Sequence, residues 1–150
     1  MLDSIDLIFI RAFKKMAPAL SRVAIFIVFF WFGILKVLSL SPANPLVAEL
    51  LKVTLPLITF QQFIIFFGIF EMIIGIAFLV PGLERLAIAL LIPHMITTIL
   101  PLVFLSQMTW TGFLVPTLEG QYIIKNLVII ALAFVIGSQL KPWKTAGGLN

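Results

Sequence analysis

The chain has no cysteine, and only 11% of its 150 residues are charged, less than half of the roughly 25% usual in soluble domains. The first absence excludes structural disulfides, thiolate-held metals and a CxxC redox pair. The second excludes an ordinary water-facing surface. Histidine occurs once, so a bis-histidine haem site would require a second subunit or another protein, and haem is disfavoured. There is no HExxH, P-loop, GxSxG or paired-carboxylate signature, so neither an intrinsic cofactor nor a metal is expected. The net charge of +4 does not point to nucleic acid, because the basic residues are scattered at the ends of apolar runs with no stripe and no nucleic-acid motif.

What the chain has instead is 62% hydrophobic residues, gathered into four runs long enough to cross a hydrocarbon core of about 30 Å. These predict transmembrane helices over residues 20–40, 60–80, 86–105 and 122–140 of a single domain, 18–141. The expected fold class is an all-α membrane protein, a four-helix up-down bundle. The first run resembles a signal peptide in its basic flank and in Ser39-Leu40-Ser41, but it exceeds the usual apolar length and ends in Lys36, so it reads as a retained span. Pro93 and Pro101 interrupt the third run and predict bends there.

Outside the spans, residues 1–17 place Ile5, Ile8, Phe9, Ala12, Phe13 and Met16 at helical spacing beside Arg11, Lys14 and Lys15. That pattern suits an amphipathic helix on an anionic leaflet, ended by Pro18, or a basic leader that only sets topology. The first connection, 41–59, carries Asn44 and Pro45 as expected N-cap and first helical residue of a short outer surface helix. The second, 106–121, contains Trp110, Phe113 and Pro116, and the end of the chain, 142–150, reads as a mobile tail holding Trp143. Arg11, Lys14, Lys15, Arg22, Arg85, Lys141 and Lys144 fall at one side of such a bundle. The positive-inside rule then places both termini in the cytoplasm.

The polar residues inside these runs form the candidate site. Glu71 is nine residues from Val80 and His94 nine residues from Arg85, so both lie roughly 13 Å from the same end and share a level near the midplane. By the same count Lys36 and Lys125 belong to the outer half, at roughly 22 to 24 Å. Gly68, Glu71 and Gly75 share one face of the second run, as do Gly33 and Lys36 in the first, and such small residues admit a neighbouring helix closely. Asn126, Ala133 and Gly137 make a small and polar stripe in the fourth. The expected site is a polar cavity, open outward, formed by Lys36, Glu71, His94, Lys125 and Asn126, with Gly33, Gly68, Gly75 and Gly137 bringing the helices together. A structural alternative is an ion pair between Glu71 and Lys36 or Lys125 that only assembles the bundle. For His94 the plain reading is a neutral ring hydrogen-bonded to Thr97, Thr98 or Glu71.

Trp31-Phe32-Gly33-Ile34-Leu35-Lys36, Gly68-Ile69-Phe70-Glu71-Met72-Ile73-Ile74-Gly75 and Gly120-Gln121-Tyr122-Ile123-Ile124-Lys125-Asn126-Leu127 together resemble the DoxX-like four-helix membrane proteins. Gly33, Lys36, Ser41-Pro42 and Lys125-Asn126 are also similar to the DUF417 group, which includes reactive-chlorine-resistance inner-membrane proteins. The resemblance covers residues 20–140 and implies a four-helix fold in a bacterial inner membrane. It implies association with thiol, oxidative-stress or thiosulfate:quinone systems, and matches Lys36, Glu71 and Lys125 to recurring polar positions. His94 is not among them. Lacking cysteine, this chain would need a partner for thiol or sulfur chemistry.

The leading expectation is a membrane subunit of a redox or oxidative-stress system that binds a quinone or similar amphiphile around Glu71, with a redox protein or a second copy as partner. Two alternatives stand beside it: a noncatalytic assembly or receptor protein, and a small-solute or proton permease acting as an oligomer. Whether the protein is an enzyme stays open at this level.

Overall fold

The computed structural model describes residues 2–142. Four helical segments are long and apolar enough to span a membrane: Ile5–Val37, Phe60–Leu79, Glu84–Phe104 and Leu118–Gly137. The protein is therefore mostly helical and membrane-embedded.

The first helix, α1 (Leu2–Val37), runs unbroken for 36 residues, about 54 Å at 1.5 Å per residue. An end at Pro18 was expected from the sequence, and here the structure differs. A proline removes one backbone donor and strains against the carbonyl four residues earlier, but the apolar, helix-compatible residues on both sides carry the helix through. α1 closes with Ser39 at φ 58°, Leu40 N–H donating to the Leu35 carbonyl at 2.8 Å and Ser39 N–H to the Lys36 carbonyl at 2.9 Å. This is the Schellman pattern that satisfies the last carbonyls of a helix.

The surface helix α2 (Asn44–Thr54) is present, with Leu46, Leu50 and Leu51 buried and Glu49 and Lys52 paired on its exposed side. Its cap differs from the expectation. Ala43 holds the N-cap position without a side-chain bond, and Asn44 is already helical, its Oδ1 buried without a partner.

α3 (Phe60–Leu79) begins where Thr59 Oγ1 accepts from the Gln62 N–H. It stops at Val80, ahead of Pro81 and of Gly82 at φ 92°. α4 (Glu84–Ile99) carries Pro93 inside it and leads through Leu100, which keeps helical angles, into α5 (Pro101–Phe104).

The connection expected over 106–121 is shorter and more ordered than its sequence suggests. A turn of helix, α6 (Ser106–Thr109), is followed by an antiparallel pair, β1 (Trp110–Gly112) and β2 (Val115–Pro116). Trp110 Nε1 donates to the Leu102 carbonyl at 3.0 Å and Thr117 Oγ1 to the Met108 carbonyl at 2.8 Å. The Thr117 hydroxyl also accepts from the Gly120 N–H. That cap starts α7 (Leu118–Gly137) four residues before Tyr122, where the apolar run had placed it.

α1 packs against α3 and α7, and α4 packs against the same two helices. Their shared core is built from Ile25 and Phe29, Ile74 and Phe78, Leu91 and Met95, and Ala133 and Ile136. α1 and α3 run antiparallel at backbone contact. A Cβ added to Gly33 would lie 2.5 Å from the Gly68 carbonyl oxygen, and one added to Gly68 would lie 2.7 Å from that of Gly33. A Cβ added to Gly75 would lie 3.1 to 3.2 Å from backbone atoms of Phe30 and Phe26. At the end bearing the α3–α4 turn, Arg22 pairs with Glu84 at 2.5 Å and also reaches the Phe78 carbonyl at 3.4 Å. Arg85 donates to the Lys141 carbonyl at that same end. Residues 143–150 of the expected tail, Trp143 among them, lie outside the described residues.

Candidate functional site

Three helices deliver one charged cluster. The glycine contact at Gly33 and Gly68 sets the register of α1 on α3 so that the Lys36 Cβ lies 3.0 Å from where a Cβ of Gly68 would be. Glu71 is three residues further along α3, about 4.5 Å along the axis, a distance the four-carbon lysine stem can span. Lys36 Nζ donates to both Glu71 oxygens, at 2.7 Å to Oε2 and 2.9 Å to Oε1. From α4, His94 Nε2 lies 3.0 Å from Glu71 Oε1. The counted level of Glu71 and His94 and their contact in space agree. All three residues are closed off, with 6% exposure for Lys36 and 5% each for Glu71 and His94.

Aromatic side chains seal the cluster. Phe67 stacks on the imidazole at 5.0 Å with a 9° interplanar angle, Phe29 meets it edge-on at 4.9 Å, and Phe70 lies at 6.2 Å. The Lys36 ammonium also stands 5.7 Å from the centre of the Phe67 ring, within reach of a cation–π attraction. An Nε2–H of the histidine would give the carboxylate a second donor beside the ammonium. Nδ1 then faces the Thr98 hydroxyl at 3.4 Å. That hydroxyl donates to the His94 carbonyl at 2.9 Å, which leaves its oxygen able to accept from an Nδ1–H.

The chemical capacity of this arrangement is a chain of proton-bearing atoms, Glu71 to His94 to Thr98, inside an apolar wall. A surface hollow of about 260 Å³ lies at Ala48, Lys52 and Phe60, and another of about 410 Å³ lies along Phe26, Trp31 and Leu35. Neither includes Lys36, Glu71 or His94.

The structure brings together Lys36, Glu71 and His94, and it places the other two expected site residues elsewhere. Lys125 is exposed, its ammonium 5.0 Å from the centre of the Tyr122 ring one turn earlier. Among the described residues it forms no ion pair. Asn126 is half-buried on α7. Of the expected close-approach glycines, Gly33, Gly68 and Gly75 touch backbone, whereas a Cβ on Gly137 would meet only the Ile88 Cδ1 at an ordinary 3.5 Å. Gly120 was not singled out, yet a Cβ there would lie 2.2 Å from the Thr109 carbonyl oxygen. Phe29 and Phe67 were missed too. Their signal was available in the spacing, since Phe67 precedes Glu71 by four residues and Phe29 precedes Gly33 by four, placing each on the polar face of its helix.

Fold and cluster together define a membrane-embedded helical protein with a buried Lys–Glu–His triad. No protein-family model, curated protein or solved structure matches the chain.

Proposed function

We propose that this protein is a DoxX-like membrane subunit of a redox or oxidative-stress system, in which the triad exchanges a proton with a quinone or similar amphiphile held between the helices. The observation that carries the reading is Glu71 shared between Lys36 and His94 within the apolar core. Ionisable groups at that depth cost several kcal/mol unless paired and are kept mainly for function. In this reading the ligand's ring approaches from the lipid beside Thr98, where the outward valence of His94 is least satisfied, and Lys36 holds Glu71 in place. The bundle is an up-down one in a bacterial inner membrane, both termini are cytoplasmic, and the Arg22–Glu84 end is the inner one. Lys125 and Asn126 serve the outer half of α7, and a redox protein or second copy is the partner.

The test is extraction of purified protein for bound quinone, together with haem absorbance and quinone-dependent turnover in its own membrane. Co-purifying quinone that is lost in His94→Gln carries the proposal. No quinone and no quinone-dependent activity removes it.

One observation favours a second reading. The triad is hydrogen-bonded throughout and sealed by Phe29 and Phe67, as suits a noncatalytic assembly protein whose buried charges fix helix register. Crosslinking with mass spectrometry separates the two. A stoichiometric partner that is lost when 106–117 is replaced, but kept in Glu71→Gln, supports assembly. The permease alternative has no observation of its own, and liposome flux decides it.

A further inference from the structure

The buried stripe of α1 runs Ser21, Ile25, Phe29, Gly33, Lys36, at steps of four and three residues. Continued toward the N-terminus at the same spacing, it passes through Pro18 to Lys14 and Arg11, with Lys15 beside them. The cations therefore stand on the side of α1 that faces the bundle, below the Arg22–Glu84 pair that marks the bundle's end. The opposite side carries Ile5, Phe9, Phe13 and Met16, all exposed. From Pro18 to Leu2 the helix projects roughly 24 Å past this end, and a straight helix would hold that apolar side outside the hydrocarbon.

Pro18 resolves the conflict by its position. It lies on the bundle-facing line, so the missing N–H and the crowding of the Lys14 carbonyl weaken the helix on that side. A bend at that joint would carry the N-terminal segment away from the bundle. Bending outward at that joint rotates the outer side of the helix upward, which turns Ile5, Phe9, Phe13 and Met16 toward the bilayer. Lys15 comes to flank the segment at headgroup level, with Arg11 and Lys14 on its polar side. Asp6 is more than a turn from the cations, so positive charge is concentrated next to the joint, nearest the membrane.

We propose that residues 2–17 are a membrane-surface arm hinged at Pro18, whose occupant is the anionic headgroup layer of the leaflet at the Arg22–Glu84 end. The apolar flank supplies insertion, to a depth of about 5–10 Å. The three cations supply selectivity for anionic lipid.

The absence of cysteine makes single-site spin labelling of the whole protein direct. Labels at Phe9→Cys, Phe13→Cys and Leu7→Cys are read in nanodiscs of zwitterionic lipid with and without a third of anionic lipid. With anionic lipid, labels at 9 and 13 are expected to be accessible to oxygen and shielded from a nickel chelate, and the label at 7 the reverse. The distance from Phe9→Cys to Leu38→Cys is about 43 Å in a straight helix and about 33 Å with the arm in the membrane plane. Arg11, Lys14 and Lys15 all changed to Gln should lower the docked-to-lifted ratio about 100-fold in anionic nanodiscs and leave zwitterionic ones unchanged. Pro18→Ala should restore the longer distance. The proposal is overturned by equal nickel access at all three positions, by a Gln effect that ignores lipid charge, or by label–label coupling at position 9 that vanishes on dilution with unlabelled protein. That last outcome would mean that a second copy covers the apolar side.

Discussion

Removing one charge of the triad should not cost the same as removing the other. Lys36 stands in the last turn of α1, one residue from its end at Val37, while Glu71 lies in the middle of α3 with Phe29 and Phe67 around its histidine partner. When Glu71→Gln takes away the carboxylate, the Lys36 ammonium can swing outward along its flexible stem and recover solvent. The cost is then about 1–3 kcal/mol, that of a lost hydrogen-bonded pair. When Lys36→Met takes away the ammonium, the carboxylate has no such exit and keeps only His94. Breaking a buried pair in that direction costs about 3–5 kcal/mol. Lys36→Met combined with Glu71→Gln leaves no lone charge and should cost less than the sum by at least about 2 kcal/mol. Reversible unfolding in mixed micelles, titrated with SDS for all four proteins, measures the cycle. Equal single-variant losses, or a larger loss for Glu71→Gln, would refute the argument from depth and stem length.

Gly33→Ala or Gly68→Ala forces backbone apart, because the added carbon would sit 2.5 or 2.7 Å from a carbonyl oxygen; each should destabilise by about 1–3 kcal/mol or more, whereas Gly137→Ala should stay within about 0.5 kcal/mol. The same unfolding titration reads all three. Ser39→Gly should stabilise by about 1 kcal/mol, since a left-handed φ of 58° strains serine and not glycine; a neutral or negative effect would show that the Schellman turn is absent in the membrane.

The level of Glu71 with His94 was legible because both could be counted from the same tight turn at Pro81-Gly82, and rise per residue in a helix is nearly constant. Rotation about the axis is less forgiving. Lys125 joins the expected site through its depth and the family resemblance, neither of which fixes rotation, but it is two residues from buried Ile123, about 200° round the helix, and so points outward. Asn126, three residues from both Ile123 and Ile129, lies nearer the buried stripe. Local chemistry misled in two places. Pro18 reads as a stop because it cannot donate, yet a helix stabilised on both sides absorbs one missing bond. Asn44 reads as a cap because its side chain favours that role, but Ser41 Oγ accepts from the Ala43 N–H and the helix starts from that turn. The start of α7 was missed because Leu118, Glu119 and Gly120 are not an apolar run, and helix there is set by the Thr117 cap and by Gly120 against Thr109.

The 35 residues that separate Lys36 from Glu71 also impose an order on how the protein is made. Synthesis runs from the N-terminus, so the first span meets the bilayer as a helix with an unmatched cation at its far end. Until α3 arrives, that cation favours the headgroups and holds α1 shifted toward them. Glu71 then draws Lys36 inward as Gly33 closes on Gly68, and His94 joins 23 residues later. The first helix thus acquires its final depth only after the third has been threaded, and a nascent chain stopped before Glu71 should leave it riding high.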